Sequence, residues 1–174
     1  KAGHGRQALP KARYAALLKH LHGIIEALER RAATAWSGYA ESGVYSAEET
    51  EAKKAFVAAF VAQRRPGMLL DIGCNTGMYA TMSLAAGAGR VLGVDADRGA
   101  ANAAFATAQA KAQAFTPLVV DIAAPTPALG WRGVERASFL SRLQVDAVLA
   151  LAVVHHLVFG RNIPLHDALR FIAC

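Results

Sequence analysis

The chain has 174 residues, of which 54% are apolar, 18% charged and 7% aromatic, with a formal net charge of +6. This length fits one domain with a sizeable core rather than two, and the apolar share excludes an intrinsically disordered or fibrous chain. Two cysteines, Cys74 and Cys174, are too few and too scattered for a disulfide framework or a metal site, so both read as free thiols.

Residues Lys1 to Pro10 carry charges and glycines but no apolar segment of the kind a signal peptide needs, which implies a cytoplasmic location. After Pro10, apolar residues fall at Tyr14, Leu17, Leu18, Leu21, Ile24, Ile25 and Leu28, the three-and-four spacing of an amphipathic helix. Basic residues gather on this helix and around Arg64 and Arg65 without interleaved aromatics, a pattern that reads as a solvated helix face rather than a polyanion site. A looser segment with Trp36, Tyr39 and Tyr45 follows. Ser46-Ala47-Glu48-Glu49 then forms a capping box that opens a second helix, which runs to about Arg64 before Pro66-Gly67 stops it.

From Met68 the chain alternates strand and helix. Met68 to Ile72 reads as a buried strand, Met78 to Ala86 as a helix, Arg90 to Asp95 as a strand and Arg98 to Gln113 as an alanine-rich helix. Thr116 to Asp121 makes a third strand and Val145 to Leu151 a fourth. Between them, Ala123 to Gln144 is longer than a simple connection and is expected to hold a loop with a short helix. The apolar run Ala147 to Phe159 is broken by His155 and His156 and is too short to cross a bilayer. Asn162-Ile163-Pro164 introduces a last helix through Ile172.

Apolar strands alternating with helices imply an α/β fold, a doubly wound and mostly parallel Rossmann-like sheet covered on both faces. Two parts are expected: an N-terminal helical segment or lid over residues 1–50, and a ligand-binding domain over residues 51–174. A sheet ending after its fourth strand leaves an apolar edge open, which natural proteins avoid. With the start at Lys1 rather than a methionine, this points to a fragment of a longer protein, and the open edge offers a route to self-association.

The strongest chemical signal is Asp71-Ile72-Gly73-Cys74-Asn75-Thr76-Gly77, a strand that delivers glycines into a turn at a helix start. Glycine lets the backbone turn sharply and approach a ligand, and free N–H groups at the helix start favour a negative or polar group. The spacing lacks the middle glycine of the dinucleotide fingerprint, which disfavours a pyrophosphate. Asp71, Asp95 and Asp121 stand at the carboxyl ends of the first three strands, the edge where open α/β sheets bind ligands. Three carboxylates repel phosphate but suit a ligand rich in hydroxyls, amines and positive charge. S-adenosylmethionine has that chemistry: Asp95 can accept both ribose hydroxyls, Asp121 the adenine amino group, and Asp71 the ammonium, directly or through water. The glycine loop would face the methionine portion.

The loop from Asp71 to Gly77, Gly93-Val94-Asp95, Val119-Val120-Asp121-Ile122, and Asp146-Ala147-Val148-Leu149-Ala150 followed by His155-His156-Leu157 resemble class I S-adenosylmethionine-dependent methyltransferases over roughly residues 53–159. The loop, the Leu-Ala-Val-Val-His-His-Leu segment and Asn162-Ile163-Pro164-Leu165 resemble, more narrowly, a nodulation-related branch of bacterial methyltransferase-like proteins. The resemblance implies a cofactor site made of Asp71, Gly73, Cys74, Asn75, Gly77, Asp95, Ala96, Asp121, Ile122 and Ala150, with S-adenosylhomocysteine as product. It places the segment after strand four, with His155 and His156, at the methyl acceptor. Asn75 stands where that family has its usual central glycine, which changes the loop without blocking it, since asparagine tolerates left-handed backbone angles.

Each residue also has a plainer reading. Asp95 and Asp121 can cap the next helix, Asp71 can cap backbone amides, and one histidine can pack under the loop. If either histidine is a general base, it takes the proton of an attacking hydroxyl or amine. Asp146 reads as structural, Cys74 as buried and unreactive, and Trp36 and Trp131 as core or loop anchors. Lys53 and Tyr45 precede the first strand, where a lid could close on the cofactor. No Asn-Pro-Pro-Tyr segment follows the fourth strand, which argues against the amino-methylating nucleic-acid branch that uses it; small-molecule, glycan and lipid-linked acceptors stay open, with nucleic acid the less expected partner. The competing functions are a non-catalytic binding module and, less well matched by the loop spacing, a nicotinamide-dependent oxidoreductase.

Overall fold

The computed structural model describes residues 9–27 and 46–173, so Trp36, Tyr39, Tyr45 and Cys174 lie outside the described residues. The chain divides into two compact units, Lys1–Arg31 and Ala32–Cys174. The first holds helix α1, Lys11–Ala27. The second holds α2 (Ala47–Arg64), β1 (Met68–Ile72), α3 (Met78–Ala85), β2 (Arg90–Asp95), α4 (Arg98–Ala110), β3 (Phe115–Val119), β4 (Ala147–Leu149) and α5 (Leu165–Ala173).

The capping box forms as its spacing predicts. The Glu49 N–H donates to the Ser46 hydroxyl at 3.1 Å, and the Ser46 N–H donates to the Glu49 carboxylate at 2.8 Å. Satisfying two orphan donors fixes the start of α2, and Arg65, in the left-handed region at φ 45°, ends it by donating to the Val61 carbonyl. Further along, the Asp97 carboxylate takes the Ala100 N–H at 2.8 Å and starts α4.

The strands lie in the order β3-β2-β1-β4, and every pairing is parallel. Asp71 pairs in register with Gly93 on one side and Leu149 on the other. One face of the sheet, with Leu69, Val91, Phe115 and Leu149, packs against Val57 and Val61 of α2, Ala80 of α3, and Ala104 and Ala108 of α4. Alanine at the contact lets α4 lie close to the sheet, which is why an alanine-rich helix serves as a core element here. The opposite face, with Leu70, Ile72 and Val94, is covered by Phe139, Val153, Leu157 and Ala168 of α5.

β4 is shorter than the Val145 to Leu151 stretch at both ends, and just ahead of it Asp146 grips β1: its carboxylate accepts the Met68 N–H at 2.8 Å, while its own N–H donates to the Met68 carbonyl at 2.8 Å. This clasp at the mouth of β1 gives Asp146 a structural role. Between β3 and β4 the chain forms two short 3-10 turns, Trp131–Gly133 and Leu140–Arg142, in place of a short helix. Trp131 is 77% exposed, so it is not a core anchor. No helix among the described residues is long and apolar enough to cross a membrane.

Candidate functional site

β1 ends in the glycine loop, whose amides are used inside the protein. The Gly73 and Cys74 N–H groups both donate to the Val94 carbonyl, at 2.8 and 3.1 Å. Asn75 N–H donates to Asp95 at 2.8 Å, Thr76 N–H to the Asn75 side chain at 2.7 Å, and Gly77 N–H to the Cys74 carbonyl at 2.9 Å. A phosphate-binding loop keeps such amides free for the anion, so this loop is a scaffold that positions side chains rather than an anion nest.

The bend needs its residue types. Gly77 sits at φ +86°, and a Cβ there would lie 2.5 Å from the Phe115 ring. Gly73 sits at φ +71°, where a Cβ would lie 2.6 Å from Val153, so the segment after β4 rests directly on the loop. Asn75 adopts φ 47°, a left-handed angle that asparagine tolerates in the place of a glycine.

Asp71 is 2% exposed, and its Oδ2 is buried without a hydrogen-bond partner. Burial first, and then the negative charge of Asp95, push its carboxyl up to about 7. An orphaned carboxylate oxygen in the core costs free energy unless something cationic or protic meets it. The same two causes, burial leading and Asp71 and Asp95 adding to it, push the Cys74 thiol well above its ordinary range, so Cys74 is a packing residue and not a nucleophile. Its sulfur fills the space beside Gly93, where a Cβ would come within 2.8 Å of it.

Asp95, at the end of β2, is half-buried. Oδ2 accepts the Asn75 N–H and Oδ1 accepts the Asp97 N–H, each at 2.8 Å. These bonds aim the carboxylate across the mouth of the glycine loop and leave each oxygen a further lone pair. Ala96 follows on the exposed rim. The next strand is locked to this point, since Val120 N–H donates to the Asp95 carbonyl at 2.9 Å.

Asp121 has less freedom than its sequence position suggests. Its Oδ1 accepts the Ala123 N–H at 3.0 Å, and its Oδ2 pairs with the Arg161 guanidinium. Sequence spacing did not single out Arg161 as the partner of Asp121; 40 residues separate the two, and only the fold joins them. Ile122 is half-buried and packs on the second core cluster.

Ala150, just after β4, is half-buried, and a turn of π-helical pattern spans His156–Gly160. His155 and His156 are both exposed, with ring centroids 4.0 Å apart, so neither packs under the loop. Val153 and Leu157 instead bury on either side of them and hold the pair at the rim. Lys53 points over the Tyr79 ring at 5.4 Å, joining α2 to α3. The fold thus brings Asp71, Asp95 and the loop into one group, and the histidine turn ends in Arg161, which reaches Asp121 beyond β3.

No protein-family model matches the chain. It is 39% identical over 166 residues to nodulation protein NoeA of Rhizobium meliloti (strain 1021), covering 94% of the chain but only 35% of NoeA. In three dimensions it resembles WbdD, described as a bifunctional kinase-methyltransferase, with a TM-score of 0.53 and 18% identity over 87% of this chain and 33% of that one. A second WbdD crystal structure matches with a TM-score of 0.51 over 87% of this chain and 34% of that one.

Proposed function

We propose that this chain, methyltransferase-like in fold and related in sequence to about a third of NoeA, binds S-adenosylmethionine at the carboxyl edge of its sheet and transfers the methyl group to a small-molecule or glycan-type acceptor. The observation that carries the reading is Asp71, a buried carboxylate with an orphan oxygen behind a loop whose amides are already used. That arrangement fits a cation at Asp71, and the loop's own amides from Gly73 to Gly77 are already used. A nicotinamide dinucleotide, with its pyrophosphate, therefore suits this site poorly.

When bound, S-adenosylmethionine supplies a methyl group already activated on a sulfonium. The chain's residues would do the rest. Asp71 would hold the ammonium, directly or through water, and Asp95 would accept the ribose hydroxyls on its remaining lone pairs. Asp121 and Ile122 would border the adenine, with Arg161 limiting how far Asp121 can turn toward it. Gly73, Cys74, Asn75 and Gly77 would back the methionine portion, with Ala96 and Ala150 closing its edges. Alignment and exclusion of water are the main contribution, worth up to ~7–11 kcal/mol for well-oriented reactants. His155 or His156 would take the acceptor's proton at an imidazole nitrogen, typically ~10²–10⁴-fold in rate.

The setting we propose is cytoplasmic, and the open edge of β4 supports self-association of this chain. Calorimetry with S-adenosylmethionine and S-adenosylhomocysteine tests the cofactor; no heat of binding at millimolar ligand overturns it. Transfer of labelled methyl to small-molecule, glycan and RNA fractions tests the acceptor. Label confined to RNA would overturn the acceptor class, and binding without any transfer would favour a non-catalytic module. His155→Ala and His156→Ala leave cofactor binding unchanged, and the one that lowers transfer is the base.

A further inference from the structure

Residues 1–27 carry five lysines and arginines against Glu26 alone, so four of the chain's six net positive charges lie there. Within α1 no residue is buried. Tyr14, Leu17, Leu18, Leu21, Ile24 and Ile25 are each between 45 and 55% exposed. At 100° per residue these six fall in one stripe about 120° wide. Lys11 and His22 border one side of the stripe, Arg13 and His20 the other. Glu26 lies on the far face, where its carboxylate pairs with His22 at 3.3 Å.

We propose that α1 lies in the plane of an anionic membrane surface, its apolar stripe at the acyl boundary and its bordering cations among the headgroups. Three arguments select this occupant. First, no described helix is long and apolar enough to cross a bilayer, and α1, 17 residues and so roughly 25 Å long, carries cations along its length; it can rest on a membrane but not span it. Second, a second copy of α1 is a poor cover. Lys11 borders the stripe on one side and Arg13 on the other, both in the first turn, and neither border bears a carboxylate, so a parallel copy would set like charges together. Third, a nucleic acid would use the cations but leave the aliphatic stripe in water. An anionic lipid surface meets both features at once.

The test uses the whole chain in flotation with vesicles of phosphatidylcholine alone and of phosphatidylcholine with about a third phosphatidylserine. Partitioning should be at least about ten-fold stronger onto the anionic vesicles, and should fall several-fold as salt rises and screens the headgroups. Leu17→Glu with Leu21→Glu should abolish binding to both vesicles. Lys11→Glu with Arg13→Glu should keep the weak binding to neutral vesicles and lose the preference for anionic ones. Circular dichroism and a thermal melt establish that each variant keeps the α/β domain. Equal partitioning onto both vesicles overturns the proposal, as does no binding to either. So does anionic binding that survives the leucine changes, which would mark a plain polyanion attraction shared with RNA. A lipid-free dimer that the leucine changes turn into a monomer also overturns it, in favour of a second copy.

Discussion

Residues 46–119 and residues 120–165 of the same domain are held together differently. In the first stretch the contacts are buried and exclusive: Val57 and Val61 of α2, Leu69 and Val91 of the sheet and Ala104 of α4 are almost fully enclosed, and Gly77 is fitted against Phe115. In the second, turns replace helices, Trp131 and Val134 stand in solvent, and the Asp121–Arg161 ion pair is partly exposed. The rigid stretch holds the carboxylates Asp71 and Asp95. The looser one holds Asp121, the histidines and, on the proposed function, the side where an acceptor would enter. A scaffold that fixes the cofactor and loops that vary the acceptor is how α/β sheets usually divide this labour.

Four experiments can break or sharpen that contrast. The largest effect belongs to Asp71. Its folded carboxyl is pushed up from the ordinary 3.8 to about 7, so the neutral form favours the fold, and stability is lost as pH rises from about 4 through 7. In Asp71→Asn that loss disappears. Between pH 4 and 8 the stability difference should move in the variant's favour by up to roughly 4 kcal/mol, measured by urea unfolding across pH. Affinity for a cationic ligand should show the opposite trend, rising as wild-type Asp71 ionises and remaining low in the variant.

Gly77→Ala comes next. A left-handed backbone angle and a Cβ forced against Phe115 should together cost about 3 kcal/mol in urea unfolding at neutral pH. Arg161→Ala, which removes the partner of Asp121, should cost under ~1 kcal/mol, because its side chain is 52% exposed and water screens the pair. If ligand affinity changes far more than stability, Arg161 acts on how Asp121 is presented. The smallest effect is Trp131→Ala, within about 0.5 kcal/mol. A large loss of stability there would show that the turn region is as tightly built as the rest.

The same contrast governs what could be read from the sequence. The capping box at Ser46, the apolar strand Met68–Ile72 and the glycine bend are local signals, each visible within a few residues, and the elements begin where those signals stand. Asp71 and Asp95 stood out as candidates because each carboxylate ends a buried strand beside the bend, and the fold sets both against the glycine loop. Three features were not legible. The partner of Asp146 is the Met68 amide, a long-range bond. The exposure of both histidines depends on Val153 and Leu157 taking the buried positions around them. The Arg161 partnership exists only once the turn after β4 folds back over the end of β3. Each was decided by tertiary contact, where spacing along the chain carries little information.

The Asp146 clasp has a consequence for the order of events on the ribosome. β1 is an inner strand, yet its entrance is tied by a residue 78 positions downstream. A nascent chain extended at ~5–20 residues per second makes the carboxylate available only roughly 4–16 s after Met68. Until then a half-made sheet has its central ribbon open along one side, and whatever shelters that ribbon during translation decides how much of the protein is made intact.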